Sequence, residues 1–459
     1  MMNNILINDD VMKWAAGYTG PKFHALLCDP PYELGFMGKD WDRSGIAFNP
    51  ETWEALAEHL LPGAFGMAFA SSRGWHRLAV AIEDAGLIIH PSIFGWAYGS
   101  GFPKATRIDT QIDKAAGAER EPGIDPYAKN HPNPRGSTVG QLYGSDNNPT
   151  GPHSTPATDL ARAWAGHRYG LQAMKPALEP IIVFQVPYKG KPVDSIVETG
   201  AGALNIDGAR IGTNEVVAEQ HAAYKGTQGI YGEYGTCLRH NGNGTSHPQG
   251  RWPANFYVDK EAARRLGEQS GELKSKWGKD APQRRGSGGV INYAGDNRPS
   301  QQDYRGDTGT AARFFFNVNC RLDEADPVLY QAKASRKERD AGLEGMLRRF
   351  APKGNYKGRD MDNPKNHLGG LQSSKMRNSH PCCKPIDLTR WFATLLLPPA
   401  EYAPRRILIP FAGSGSEMIG AHLAGWEEVM GVEMEKEYCE IAEARLKHWA
   451  TQPEQLELI

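Results

Sequence analysis

The stretch 23–28 (FHALLC) is apolar and is followed by Asp29-Pro30-Pro31-Tyr32. This reads as a buried strand that ends in a carboxylate, two prolines and an aromatic ring. Proline fixes φ and has no N–H, so its carbonyl is a rigid acceptor without a competing donor. Asp29 adds a second acceptor and Tyr32 a flat face. That set suits an NH2 group on a planar ring, with two acceptors for its hydrogens and an aromatic to hold the ring. The plainer alternative is a strand end with a proline turn and a surface tyrosine. A second constellation lies near the other end of the chain. The segment ILIPFAGSGSEMIGAHLAG places Phe411, Gly413 and Gly415 between an apolar stretch and a helical pattern. Glycines let a backbone turn sharply and approach a ligand closely. The next apolar stretch, VMGVE, ends in Glu433, and an acid at the end of a second strand suits the two hydroxyls of a ribose. The third glycine of the dinucleotide fingerprint would fall at Met418, so that fingerprint is absent. A glycine turn that serves only helix packing is the alternative here.

The elements that would position these residues alternate between strand and helix patterns. Strands are expected at 4–7, 23–28, 64–70, 87–98 and 180–186, with helices near 10–16, 51–61 and 74–85 between them. Residues 99–170 read as loop with a short helix near 109–116. From 195 to 375 the pattern is weak, and only 313–318 and 335–350 look ordered. Regular structure resumes with a helix at 386–397, a strand at 406–410, a helix at 416–425, a strand at 428–433 and a helix at 436–449. This alternation implies βαβ units and a parallel sheet built from the two ends of the chain, with the irregular middle inserted.

The chain has 459 residues and a formal net charge of -1. The average hides an asymmetry: residues 261–380 hold 23 Lys+Arg against 15 Asp+Glu, a surplus of 23 − 15 = +8. A basic middle on an acidic remainder fits a face presented to a polyanion; a solvated basic insertion is the equal alternative. Six cysteines are scattered without a CxxC pair. Cys237 and His240 have metal-like spacing but no partner pair, so neither a metal site nor a disulfide framework is expected. No run of about 18 apolar residues and no cationic-then-apolar leader is present, so no membrane segment and a reducing, cytoplasmic setting are expected.

Taken together, Asp-Pro-Pro-Tyr first and Phe-Ala-Gly-Ser-Gly last resemble the amino-methyltransferases of DNA, in the motif order of their β class. The segments GFMGKDWD, LLPGAFGMAFAS, HRLAVAIEDAG, YGSGFPKA, LNIDGARIG, GRWPANF and KASRKERD are similar to phage and prophage site-specific enzymes of this type. The resemblance implies an α/β, Rossmann-like methyltransferase sheet, circularly permuted, with S-adenosylmethionine as cofactor and duplex DNA as partner. It implies a catalytic half at 1–195, an inserted, loop-rich, basic target-recognition region at 196–375, and a cofactor half at 376–459. A homodimer and a cognate restriction enzyme are further partners it leaves open.

Residue by residue, the resemblance implies that Asp29, Pro30, Pro31 and Tyr32 hold a flipped-out base, with Asp29 also facing the cofactor. Phe411, Gly413 and Gly415 would wrap the methionine part, Glu433 the ribose, and Asp10 or its neighbour Asp9 the adenosine end. His380-Pro381 and Lys384-Pro385 resemble the family's HPxxKP turn, which places Lys384 among the cofactor residues. Cys382 and Cys383 depart from the usual residues of that turn, and RFFFNVNC (313–320) departs from a tyrosine-containing form. For DNA, Lys39 and Trp41 of the 35–42 loop and Lys333, Arg336 and Lys337 of KASRKERD are the candidate contacts, with Trp41 a candidate wedge. Asp at the first motif position points to adenine N6, with cytosine N4 as the alternative. A DNA-binding protein without catalysis and an RNA or protein methyltransferase are the readings from other classes. Direct transfer needs no covalent enzyme–base intermediate, so Cys28 is expected to be a buried strand residue and not a nucleophile.

Overall fold

The structure is a computed structural model that describes residues 3–35, 40–98, 104–121, 154–174, 176–211, 250–274, 308–318, 334, 336–346, 349–350, 375–380 and 382–451. Its centre is a ten-stranded sheet. The strands are β1 (Asn3–Asn8), β2 (Phe23–Cys28), β3 (Leu60–Phe69), β4 (Ile88–Ile89), β5 (Phe94–Ala97), β6 (Leu178–Gln185), β7 (Phe256–Asp259), β8 (Phe316–Val318), β9 (Arg406–Pro410) and β10 (Glu428–Glu433). They lie in the order β1-β10-β9-β2-β3-β6-β5-β7-β8, with β4 paired to β6. The last two strands of the chain therefore sit between its first two. Pairing is parallel from β1 through β3 and again from β5 through β8. Only β6 runs against its neighbours.

All six residues of β2 are buried, as are Ile407–Pro410 of β9. A sheet covered on both faces needs apolar side chains on both, so its strands read as continuous apolar runs. Successive side chains still alternate between two packed layers. Leu26, Cys28 and Leu408 pack with Trp14, Trp53, Leu56, Leu78 and Ile82 from the helices Val11–Gly17, Pro50–Ala57 and Trp75–Asp84. Ala25, Leu27, Ile407 and Ile409 pack with Trp391, Phe392, Ile419 and Trp449 from the helices Ile386–Leu396, Ser416–Ala424 and Lys436–Ala450. Truncating Leu408 or Ile409, each fully buried, to Ala would cost about 2–5 kcal/mol through lost burial and the cavity left behind.

Several elements differ from the sequence reading. The helix expected at 51–61 ends at Ala57, and β3 starts early, at Leu60, carried past Gly63 at φ 83. The single strand expected at 87–98 is two, β4 and β5, parted at His90-Pro91, where Pro91 has no N–H for a ladder. Within 99–170, the strands Lys104–Arg107 and Arg168–Gln172 pair antiparallel beside the helices Ile108–Ala115 and Asp159–Ala163. Buried Asp109 and Asp113 hold that unit together through buried Arg120, which lies 2.9 Å from Asp109. From the middle of the chain, β7 and β8 join the main sheet, so part of 196–375 is continuous with it. Within 335–350, expected only to be ordered, the structure forms the short helix Arg336–Asp340. It stops before Gly342, at φ 83, where a side chain would strike the Ala444 carbonyl at 2.8 Å. Among the described residues no helix is long and apolar enough to cross a membrane.

Candidate active site

Parallel neighbours end at the same sheet edge, which is where open α/β sheets bind ligands. The order β10-β9-β2 places Glu433, Phe411 and Asp29 side by side on that edge. Because β6 is antiparallel, its beginning reaches the same edge and delivers Glu179. A cavity of about 580 Å³ opens there, lined by both sequence constellations, with Asp9, Asp10, Trp41, Tyr98, Glu179 and Glu417.

One corner of the cavity is made of side-chain charges. Lys384 Nζ lies 2.7 Å from Asp29 Oδ2, 2.9 Å from the Tyr32 hydroxyl and 3.4 Å from Glu179 Oε2. The Tyr32 hydroxyl donates in turn to Glu179 Oε2 at 3.3 Å. The ammonium sits 4.8 Å from the Phe69 ring centroid and 5.2 Å from that of Tyr32, within cation–π range. Burial alone would lower the Lys384 pKa, yet Asp29 and Glu179 raise it well above the usual lysine range, so it stays charged. Burial, then Asp29 and Glu179, push the Tyr32 phenol up, so it stays protonated. Burial followed by Glu179 likewise lifts Tyr98 to about 12. With Oδ2 engaged, Asp29 Oδ1 is buried and has no hydrogen-bond partner among the described residues. Such an orphan acceptor is costly unless something else satisfies it.

The opposite corner is made of backbone. Phe411 has φ 61, a left-handed conformation that costs a bulky residue about 1–3 kcal/mol. Its only described non-glycine companion in that region is Glu33, at φ 55, directly after Tyr32. Strain among the described residues is thus confined to the exits of the two constellations. Gly413, at φ 53, passes so close to His380 that a Cβ would lie 2.8 Å from Nε2. At Gly415, φ 79, a Cβ would lie 3.0 Å from the Ala442 methyl. Glu433 holds the turn from outside: Oε2 accepts from the Gly413 N–H and Oε1 from the Glu435 N–H, both at 2.8 Å. Its pKa is raised, mainly by burial. Arg445, 0% exposed, donates to the Ser414 carbonyl and to the Ser414 and Ser416 hydroxyls from the other side. The Cys383 thiol meets Ser414 Oγ at 3.0 Å and accepts from Asn378 Nδ2 at 3.2 Å. Burial would raise that thiol, but Arg339, a hydrogen bond from His380 and Arg445 outweigh it and bring it down to about 5. Cys383 is thus a buried sulfur fastened to the glycine turn, a role that its departure from the usual motif did not reveal.

No family model matches this chain, and no curated protein matches it. Among solved structures, the M1.HpyAVI–SAM complex is 12% identical, with 96% of this chain and 98% of that chain covered and a TM-score of 0.34. TTHA0409, a putative DNA modification methylase from Thermus thermophilus complexed with S-adenosyl-L-methionine, is 10% identical over 98% of this chain and 97% of that one, with a TM-score of 0.32. The cytosine-N4-specific PvuII DNA methyltransferase is 9% identical over 96% and 86%, with a TM-score of 0.37. TM-scores at this level are too low to carry a residue or an activity onto this chain.

The residues singled out in the sequence distribute unevenly. Asp29, Pro30, Pro31, Tyr32, Asp10, Phe411, Gly413 and Glu433 all line the one cavity, and Gly415 lies just behind its wall. Asp10 spends Oδ1 on the N–H groups of Met12 and Lys13, capping the helix Val11–Gly17. Lys384, grouped with the cofactor residues by the resemblance, reaches Asp29, a member of the same group. Trp41 lines the cavity with its ring parallel to that of His380, at 6.4 Å and 9°. Lys337 is exposed on the short helix Arg336–Asp340, which also carries Arg336. Lys39, Lys333, Pro381, Cys237 and His240 lie outside the described residues. Cys28 is fully buried, its thiol pushed up by burial and then by Asp29. Sequence reasoning passed over Glu179, Tyr98, Glu417 and Arg445. The acid in LEPIIVF, a polar residue opening an otherwise apolar strand, was the one available signal.

Proposed function

We propose that this protein is an S-adenosylmethionine-dependent DNA methyltransferase that modifies N6 of an adenine flipped out of duplex DNA. The observation that carries this reading is the orphaned Asp29 Oδ1, a buried acceptor on a residue that lines the same cavity as the glycine turn and Glu433. The residues present fit such a cofactor. The glycine turn presents bare backbone to the cavity at Gly413. Each Glu433 oxygen has taken one backbone N–H and keeps a lone pair for a ribose hydroxyl. Asp9 and Asp10 lie on the cavity wall for the adenosine end. When bound, the cofactor supplies a methyl group activated by a sulfonium.

The chain's own residues supply the rest. Extruding a base costs a few kcal/mol of stacking and pairing, and the Tyr32 ring offsets part of that. Asp29 Oδ1 accepts one amine hydrogen and the Pro30 carbonyl the other. This draws the nitrogen from planar towards tetrahedral and frees its lone pair. Lys384 engages Asp29 Oδ2 and so leaves Oδ1 for the task, while Glu179 and Tyr32 fix Lys384. Catalysis then rests on positioning and preorganised charge. An aspartate at the first motif position favours adenine in the family this sequence resembles, and the basic surplus in 261–380 favours DNA as partner, with 196–375 as its target-recognition region. The test is incubation of unmethylated duplex DNA with the protein and S-adenosylmethionine, followed by single-molecule sequencing. N6-methyladenine at a fixed motif is expected. N4-methylcytosine would move the reading to the cytosine class, and no modified base would overturn it.

A further inference from the structure

Glu417 is a second buried acid in the cavity. It is the second residue of the helix Ser416–Ala424, is 4% exposed and lines the cavity wall. Its Oε1 is buried without a hydrogen-bond partner among the described residues. The groups that face it come from three elements. Asp29 and Cys28 approach from the end of β2, Lys384 and Cys383 from the turn before the helix Ile386–Leu396, and a backbone N–H from its own helix. Burial is the main influence and the Asp29 charge the next; both hold the carboxyl well above the usual carboxylate range, against Lys384. Two acidic side chains thus line the same cavity, and a positive centre brought between them would favour the charged form of Glu417.

We propose that Glu417 is a charge-sensing binding residue of this cavity, which releases its proton when a sulfonium-bearing ligand binds and keeps it when the neutral thioether product binds. The proposal rests on the methyltransferase reading. In the step, the carboxyl O–H breaks, its electron pair stays on Glu417, and the proton passes to the buffer through the cavity mouth. The resulting carboxylate attracts the charged ligand and has no such attraction for the product. The site therefore favours exchange of product for fresh cofactor. The preference for sulfonium over thioether should grow by up to about tenfold per pH unit while Glu417 is still neutral in the free protein.

Isothermal titration calorimetry at pH 7 in two buffers of different ionisation enthalpy counts the protons. The ligands are S-adenosylmethionine, sinefungin, which carries an ammonium in place of the sulfonium methyl, and S-adenosylhomocysteine. The full-length protein should release a substantial fraction of a proton with the first two and close to none with the third. Glu417→Gln should lose that difference. Equal proton counts for all three ligands, or an undiminished difference in the variant, would overturn the inference. The wild-type comparison decides by itself if the variant folds poorly. If none of the three ligands binds, the methyltransferase reading fails and takes this inference with it. If all bind with the same proton count, that reading stands and only the role of Glu417 falls.

Discussion

The two corners of the cavity solve one problem in different ways. The Asp29 corner is assembled from long side chains on separate elements: Asp29 after β2, Glu179 at the start of β6, Lys384 before the helix Ile386–Leu396. The Phe411–Gly415 corner is a continuous backbone turn, shaped by positive φ angles and clamped by Glu433 and Arg445. The first works by charge, so it responds to pH and to loss of any one partner. The second works by shape, so it responds to added volume. The proposed pairing of a planar amine with a bulky cofactor would need both, since charge can orient a hydrogen bond while only bare backbone can admit close approach.

Four measurements would break or sharpen this contrast. Lys384→Met should have the largest effect, because it leaves the half-buried Asp29 and Glu179 without their cation. A stability loss of about 3–5 kcal/mol is expected in denaturant titrations, and a loss under about 1 kcal/mol would show that the corner is not electrostatically coupled. Asp29→Ala comes next, with methyl transfer reduced about 10²–10³-fold while calorimetry still registers cofactor binding; parallel loss of both would erase the division of labour. Gly413→Ala tests the steric corner. Its left-handed φ costs about 1–2 kcal/mol, and the clash with His380 adds to it, so cofactor affinity should fall roughly tenfold or more. Unchanged affinity would remove the shape argument. Glu417→Gln is the smallest and depends on pH. A carboxyl raised from 4.5 to about 8 by folding stabilises fully below the lower value, and that stability drains away as pH rises through the upper one. The glutamine variant should therefore gain a few degrees of Tm relative to wild type at pH 8 compared with pH 5. A Tm difference that is flat across that window would place the carboxyl outside the charged corner.

Local chemistry was legible wherever a few consecutive residues settle the outcome. FHALLC and ILIP are strands because a doubly covered sheet demands unbroken apolar runs, and both are found as such. The paired prolines and the glycine turn announce themselves for the same reason, since φ restriction and φ freedom belong to single residue types. Boundaries were legible only in part: Pro91 split a strand that the apolar pattern had run together. The short strand β7 was lost in a glycine- and proline-rich surrounding, because its partners β5 and β8 are distant in the chain.

The sequence by itself determined which residues could accept an amine's hydrogens and which backbone could cradle a ligand, because those are properties of side-chain type and φ range. Only the tertiary structure decided that they meet. Inserting β9 and β10 between β1 and β2 brings the two ends of the chain to one sheet edge, and reversing β6 delivers Glu179 there. Only the fold assigned Lys384 to the acceptor corner and showed Glu417 and Cys383 buried close to it. A pKa is set by the burial and the charges around a group, and those neighbours come from every part of the chain.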